Sequence, residues 1–333
     1  MKNIPFAVIV ITLLFAVSCE VSEKTGTFGS IESLDPALDS LINPLAKLEI
    51  LSEGGYEWTE GPLWIESEKM LLFSDVPTNI VYKWTEKDSI EVFLNPSGYT
   101  GKAESKSQEQ GSNGLALDRQ GNLILCQHGD RRLAAMSAPL KTPQAVFSTL
   151  ADSYNGKKFN SPNDVVVRGN GDYFFTDPPY GLPKDLAQEI PFQGVYKLSD
   201  GTVSLLVDSL TRPNGIAFMP EERTIIIANS DPEKAIWYAY DLLKNDSVEN
   251  GRIFHDATEA AKKEAGLPDG LKIDRQGNVF ATGPGGIWIF NREGKVLGKI
   301  KIPVATANCA FSEDEKTLYI TADSYLVRLR MRE

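Results

Sequence analysis

The chain has 333 residues, 42% of them apolar, enough for one large domain or two ordinary ones with a substantial core. Its 34 Lys and Arg are outnumbered by 45 Asp and Glu, giving a formal net charge of −11. That balance argues against nucleic acid as a partner, since phosphate binding needs a basic face.

Lys2 supplies a short positive start, and an apolar run follows from Ile4 to Val17, broken only by Pro5 and Thr12. The run is too short for a membrane-spanning helix and reads as a signal-peptide core. It ends in Ala16-Val17-Ser18-Cys19, similar to a bacterial lipoprotein processing site, although the usual Leu three residues before the cysteine is absent. Residues 1–18 are therefore expected to be a lipoprotein-type signal peptide, with Cys19 lipidated. The mature protein would be an exported cell-envelope lipoprotein, periplasmic or at the outer membrane, touching the membrane only through that anchor. Cleavage nearby with loss of Cys19 would also export the chain. Residues 19–44 are polar, with little periodicity, and are expected to be a tether. Residues 45–333 are expected to form the folded domain. Cys126 and Cys309 sit in apolar runs, so buried free thiols are expected rather than a disulfide.

A weak internal repeat runs through the rest of the chain. A polar residue and a small one or a near equivalent open a short apolar strand, then come a turn and a second strand. The copies are Glu60-Gly-Pro-Leu-Trp64 with Leu71–Asp75, Asn113-Gly-Leu-Ala-Leu117 with Leu123–Gln127, and Asn163-Asp-Val-Val-Val167 with Tyr173–Asp177. The next three are Asn214-Gly-Ile-Ala-Phe218 with Ile225–Asn229, Asp269-Gly-Leu-Lys-Ile273 with Val279–Gly283, and Asn308-Cys-Ala-Phe-Ser312 with Leu318–Ala322. The polar anchors are 53, 50, 51, 55 and 39 residues apart, and each second strand begins 10 or 11 residues after its anchor. Two further strands follow in each copy except the last, which ends at Glu333 with room for only three. Lys47–Leu51 can supply the missing one. The expectation is an all-β, six-bladed propeller of four-stranded blades, its last blade closed by an N-terminal strand. Closure of that kind removes an exposed sheet edge. Ala257–Ala265 is the one helical stretch expected, inside an insertion.

Equivalent positions of a propeller repeat lie at equivalent distances from the axis. The anchors Glu60, Asn113, Asn163, Asn214, Asp269 and Asn308 should then ring one mouth of the central channel. Two carboxylates in one small space need a compensating cation. An oxygen-only donor set suits a hard divalent ion, Ca²⁺ first; Mg²⁺ demands tighter geometry and Zn²⁺ usually prefers nitrogen or sulfur. The loops after the second strands should rim the same mouth, bringing His128 and Tyr180 to it. Two longer segments, Gly98–Ser112 and Tyr154–Pro162, lead into anchors and are candidate binding loops.

Glu60-Gly-Pro-Leu-Trp64, Phe159-Asn-Ser-Pro-Asn-Asp164, Phe175-Thr-Asp-Pro-Pro-Tyr-Gly-Leu182, Arg212-Pro-Asn-Gly215 and Pro268-Asp-Gly-Leu271 together resemble the senescence-marker-protein/regucalcin/gluconolactonase family over roughly residues 45–333. The run Cys126-Gln-His-Gly-Asp-Arg-Arg132 is most similar to its bacterial gluconolactonase branch. The resemblance implies a six-bladed propeller and metal-binding places at Glu60, Asn163, Asn214 and Asp269. It also implies hydrolysis of a lactone, such as glucono-1,5-lactone, with Ca²⁺ or another divalent ion. Where bacterial members often carry Glu before the motif's His and Asn after it, this chain has Gln127 and Asp130, which bears on substrate preference.

On this reading Asp269 is the first candidate for general base and His128 the second. Asn113, Asn160, Tyr180 and His128 would orient substrate hydroxyls, in a monomeric enzyme. There is no Gly-x-Ser-x-Gly elbow, which argues against a serine esterase. Two alternatives stay open: a different ester or organophosphate hydrolase on the same site, and a non-enzymatic Ca²⁺- or sugar-binding surface propeller.

Overall fold

The computed structural model describes residues 28–244 and 247–332. They form six blade sheets of antiparallel strands arranged around an axis, and a small two-stranded sheet of Ser153–Tyr154 with Lys157–Lys158. Blade 1 runs outward from Thr59–Ile65 through Met70–Asp75 and Ile80–Thr85 to Ser89–Leu94. Blade 2 comprises Ser112–Leu117, Leu123–Gln127, Arg132–Met136 and Phe147–Ala151, and blade 3 Val165–Val167, Tyr173–Asp177, Gly194–Ser199 and Thr202–Val207. Blade 4 holds Pro213–Phe218, Thr224–Asp231, Lys234–Leu242 and Val248–Asp256, and blade 5 Leu271–Ile273, Val279–Gly283, Gly286–Phe290 and Val296–Lys301. Blade 6 has Thr306–Phe311, Thr317–Ala322 and Tyr325–Arg330. Its fourth strand is Leu48–Glu53, paired antiparallel to Tyr325–Arg330 with Ile50 opposite Val327. The expected closure by an N-terminal strand is present, so no blade is left with three strands.

The repeat folds this way because strand alternation gives each blade two apolar faces. Six buried clusters result, one at each junction between neighbouring blades. The blade 3–blade 4 cluster, for example, packs Phe174 and Val195 against Ile216, Ile225 and Ile227. Cys126 and Cys309 are free and buried in two of these clusters, as expected.

The small residue after each anchor has a packing cause. A Cβ on Gly61 would lie 2.1 Å from the Asn113 carbonyl oxygen, and one on Gly270 would lie 1.9 Å from Asn308 Cγ. The inner strands crowd at the axis, and at these positions glycine lets neighbouring backbones pass. Hydroxyls on the second strands tie one blade to the next: Ser74 Oγ donates to Asn113 O at 2.9 Å, Thr176 Oγ1 to Asn214 O at 2.8 Å, and Thr282 Oγ1 to Ala307 O at 2.9 Å. These bonds fix the depth of the anchors along the axis.

One boundary differs from the sequence-based expectation. Within the stretch read as a tether, Ser30–Ser33 pairs with Gly298–Lys301 as a fifth strand on blade 5. Pro36–Ser40 then forms a 3₁₀ turn capped by Asp35, whose Oδ1 accepts from Ala37 N at 2.8 Å. Leu38, Leu41 and Ile42 are buried in the cluster between blades 5 and 6. The apolar side chains are too sparse to show periodicity, but they cover an edge that blade 5 would otherwise expose. The folded domain therefore includes residues before 45. The signal peptide and Cys19 lie outside the described residues. The helical stretch is shorter than expected, Thr258–Ala261.

Candidate active site

Five of the six anchors, Glu60, Asn113, Asn163, Asn214 and Asp269, line one pocket of about 310 Å³ at the mouth of the channel. The sixth, Asn308, lies below it. Asn308 Nδ2 is 3.5 Å from Glu60 Oε2, and its Oδ1 accepts from Cys309 N at 2.9 Å and faces Lys272 Nζ at 3.5 Å. The four residues that the resemblance places around a metal thus converge, with Asn113 beside them.

Burial and mutual repulsion set the electrostatics of this ring. Burial pushes the Glu60 carboxyl up to about 7, the Gly61 N–H offsets part of this, and the Asp164 carboxylate adds to it. Asp269 is raised well above its ordinary value by burial first, then by Glu60, Asp164 and Glu109, with the Asn214 amide pulling the other way. Asn163 Oδ1 and Asp269 Oδ1 are buried with no hydrogen-bond partner among the described residues. Unpartnered buried acceptors are rare because each costs desolvation without return. Acceptor oxygens, two carboxylates and raised proton affinities in one small space fit a hard cation. Among the described residues there is no cluster of three or more His, Cys, Asp or Glu with metal-site geometry. The donor set here relies instead on amide oxygens.

Asp164 is a carboxylate that sequence reasoning passed over. It stands where most copies of the repeat carry glycine, and it is buried one residue below the ring. Its Oδ1 accepts from Val165 N at 2.9 Å and its Oδ2 from Ile216 N at 3.3 Å. Burial raises its pKa, and the ammonium of Lys272 is the strongest opposing influence. A Cβ on Gly114 would meet Asp164 Oδ1 at 2.7 Å, so the glycine next door makes room for it.

The rim was partly legible. Tyr180 comes from the loop after a second strand, as expected, whereas Ser230 lies near the end of the second strand of blade 4, Thr224–Asp231. Burial raises the Tyr180 phenol, so it remains a hydrogen-bond donor across the physiological range. Trp58, Arg212, Leu267 and Thr306 also line the pocket and were missed. Each lies two residues before an anchor, and that spacing was the available signal. Strand period does not account for it: Trp58, Arg212 and Leu267 precede their strands, and Thr306 lines the pocket while Asn308 does not.

Two candidates are not where substrate would touch them. Asn160 is fully buried behind the pocket wall, its amide donating to Asp177 O at 3.1 Å and Phe192 O at 3.0 Å. His128 is also fully buried, closed over by Gly181, whose Cβ would lie 2.5 Å from His128 Cβ. Local sequence places both near the mouth, but neighbouring loops pack over them. His128 reaches the pocket only through Glu109, whose Oε2 is 3.5 Å from His128 Nδ1. Glu109 lines the pocket and was not foreseen.

Comparison with known proteins agrees with this architecture. A gluconolactonase of Zymomonas mobilis is 35% identical over 341 aligned positions, covering 99% of this chain and 94% of that protein. Chicken regucalcin is 26% identical, covering 84% of this chain and 87% of the relative. Among solved structures, a gluconolactonase of Xanthomonas campestris superposes with a TM-score of 0.78 at 29% identity, covering 91% and 95% of the two chains. A calcium-binding regucalcin of Agrobacterium tumefaciens shares the fold, with a TM-score of 0.66 at 16% identity over 85% and 94%. The SMP-30/Gluconolactonase/LRE-like region model matches residues 58–324, and this chain belongs to that family.

Proposed function

We propose that the protein hydrolyses a sugar lactone, with glucono-1,5-lactone as the reference substrate, using one divalent cation, Ca²⁺ first. The residues to hold it are Glu60, Asn163, Asn214 and Asp269. The observation that carries this reading is the pair of buried, unpartnered oxygens, Asn163 Oδ1 and Asp269 Oδ1, in a ring with two proton-hungry carboxylates. When bound, such an ion polarises a carbonyl and stabilises the oxyanion formed by attack of water.

The chain's own groups supply the rest. Asp269, which keeps a second carboxylate oxygen, takes the proton of the attacking water and returns it to the ring oxygen as the acyl C–O bond opens. Tyr180, Asn113, Arg212 and Ser230 offer hydrogen bonds to substrate from the pocket wall. His128 is assigned no direct contact, because it is buried beneath the rim. The likeness to lactone-hydrolysing relatives along nearly the whole chain supports the reaction class. Export as a lipoprotein anchored at Cys19 completes the proposal and rests on the N-terminal sequence alone.

The test is hydrolysis of glucono-1,5-lactone by metal-stripped protein during titration with Ca²⁺, corrected for spontaneous opening. Saturable, Ca²⁺-dependent turnover is expected. Asp269→Ala should lower the rate roughly 10²–10⁴-fold, the range for loss of a general base. Near-wild-type rates in that variant would sink the assignment, and Ca²⁺ binding without turnover would favour a binding protein.

A further inference from the structure

Residues 97–111 form a strap across the mouth between blades 1 and 2, pinned at both ends. At the first root Asn79 Oδ1 accepts from three successive backbone N–H groups, Ser97 at 3.0 Å, Gly98 at 2.7 Å and Tyr99 at 3.2 Å. Gln127 Nε2 donates to Ser97 O at 2.8 Å, and Asp130 accepts from Thr100 N at 3.1 Å and Thr100 Oγ1 at 2.6 Å. At the second root Gly111 N donates to Val76 O at 2.7 Å and His128 N to Gly111 O at 3.0 Å. Gln110 Nε2 donates to Pro77 O at 3.1 Å. Gln127 and Asp130, the two departures from the common bacterial pattern, are both used to hold the strap.

Glu109 sits beside the second root and faces inward. It lines the central pocket and also an outer cavity of about 520 Å³, and Tyr180 is the only other residue shared by the two. Glu109 and Tyr180 therefore divide the metal-proposed ring from the vestibule. The Glu109 side chain keeps 35% of its surface exposed, so its carboxylate is available to a ligand. Behind it stands His128, fully buried, both ring nitrogens without a hydrogen bond among the described residues, and Nδ1 3.5 Å from Glu109 Oε2. A buried imidazole with no other partner gains from holding that carboxylate at the dividing wall.

We propose that Glu109, carried by the strap and backed by His128, makes the site select polyhydroxylated lactones by accepting hydrogen bonds from sugar hydroxyls. This rests on the lactonase reading above. The chemistry follows from the group: an ionised carboxylate is a pure acceptor with two oxygens, suited to two neighbouring hydroxyls at once. A lactone without hydroxyls would leave it unmatched. His128 is a positioning residue that acts through Glu109.

The experiment compares glucono-1,5-lactone with δ-valerolactone, which has the same ring and no hydroxyls, at saturating Ca²⁺. The readout is the ratio of the two kcat/KM values. In Glu109→Ala the ratio should fall at least tenfold, the order expected for loss of a charged hydrogen bond. Glu109→Gln, which keeps one acceptor, should lose less. His128→Phe should lower the ratio in the wild-type background and not lower it further in Glu109→Ala, the coupling expected of residues acting as one unit. An unchanged ratio in Glu109→Ala, additive losses in the double variant, or weakened Ca²⁺ binding with an unchanged ratio would each overturn the proposal. Should the wild type open neither lactone, the lactonase reading fails by itself. Calorimetric titration of D-gluconate into Ca²⁺-loaded wild type and Glu109→Ala then decides: weaker binding in the variant supports the polyol contact, and equal affinity refutes it.

Discussion

Buried carboxylates dominate the chemistry at the scale of single residues. With its pKa pushed up to about 7, Glu60 holds a proton that a cation must displace. Ca²⁺ affinity should therefore rise as pH increases through about 7, measured by calorimetry on metal-stripped protein; a flat profile would contradict the ligand role. Asp177 is a second case, away from the ring. Its carboxyl is pushed up to about 7 by burial, Oδ2 accepts from Asn160 N at 2.8 Å, and Oδ1 has no hydrogen-bond partner among the described residues. The folded form binds this proton more tightly than the unfolded chain, so the stabilising contribution is full below the ordinary carboxylate value of 3.8 and is lost as pH rises through about 7. Asp177→Asn should remove that slope and be more stable than wild type at pH 8, read from urea midpoints at pH 5 and pH 8. Asp177 stands in the recognisable motif Phe175–Leu182, yet no spacing shows that its Oδ1 ends without a donor. Such an orphan is created by what packs over it.

Elements show where pattern reading succeeds. The second strand of each blade follows from an apolar run punctuated by turn formers, because a strand buried on both faces needs a continuous apolar sequence. Asn-Gly and Asp-Gly at the anchors would ordinarily signal turns. Here they open inner strands, and the glycine answers to the neighbouring blade. The N-terminal extension was misread because Ile31, Leu38, Leu41 and Ile42 are few and irregularly spaced, whereas their burial depends on the open edge of blade 5. Leu38→Ala should cost about 2–5 kcal/mol in chemical denaturation, the range for a fully buried leucine. A loss below about 0.5 kcal/mol, the scale of a surface change, would mean that the extension does not pack as described. The strap was foreseen as a candidate binding loop, but not its inward-facing Glu109, since loop residues carry no periodic signal.

The whole molecule is a ring, and its stability depends on closure. Leu48–Glu53 and Tyr325–Arg330 come from opposite ends of the chain, and their pairing completes blade 6. Removal of residues 28–53 should leave an open edge on blade 6, broadening the unfolding transition relative to the full chain and promoting association, as light scattering would show. An unaltered, monomeric and cooperative variant would refute the closure role. The sequence by itself determined the repeat, the count of blades, the borrowed closing strand and the residue types gathered at the axis, because these depend on order along the chain and on period. Only the tertiary structure decided which of those residues face the pocket. Asn308 turns below it, Asp164 and Lys272 occupy the channel beneath, Asn160 and His128 are covered, and Glu109 arrives on the strap. The physical reason is that burial and orientation at an axis are set by six neighbouring blades at once, and no local stretch of sequence encodes what another blade brings to it.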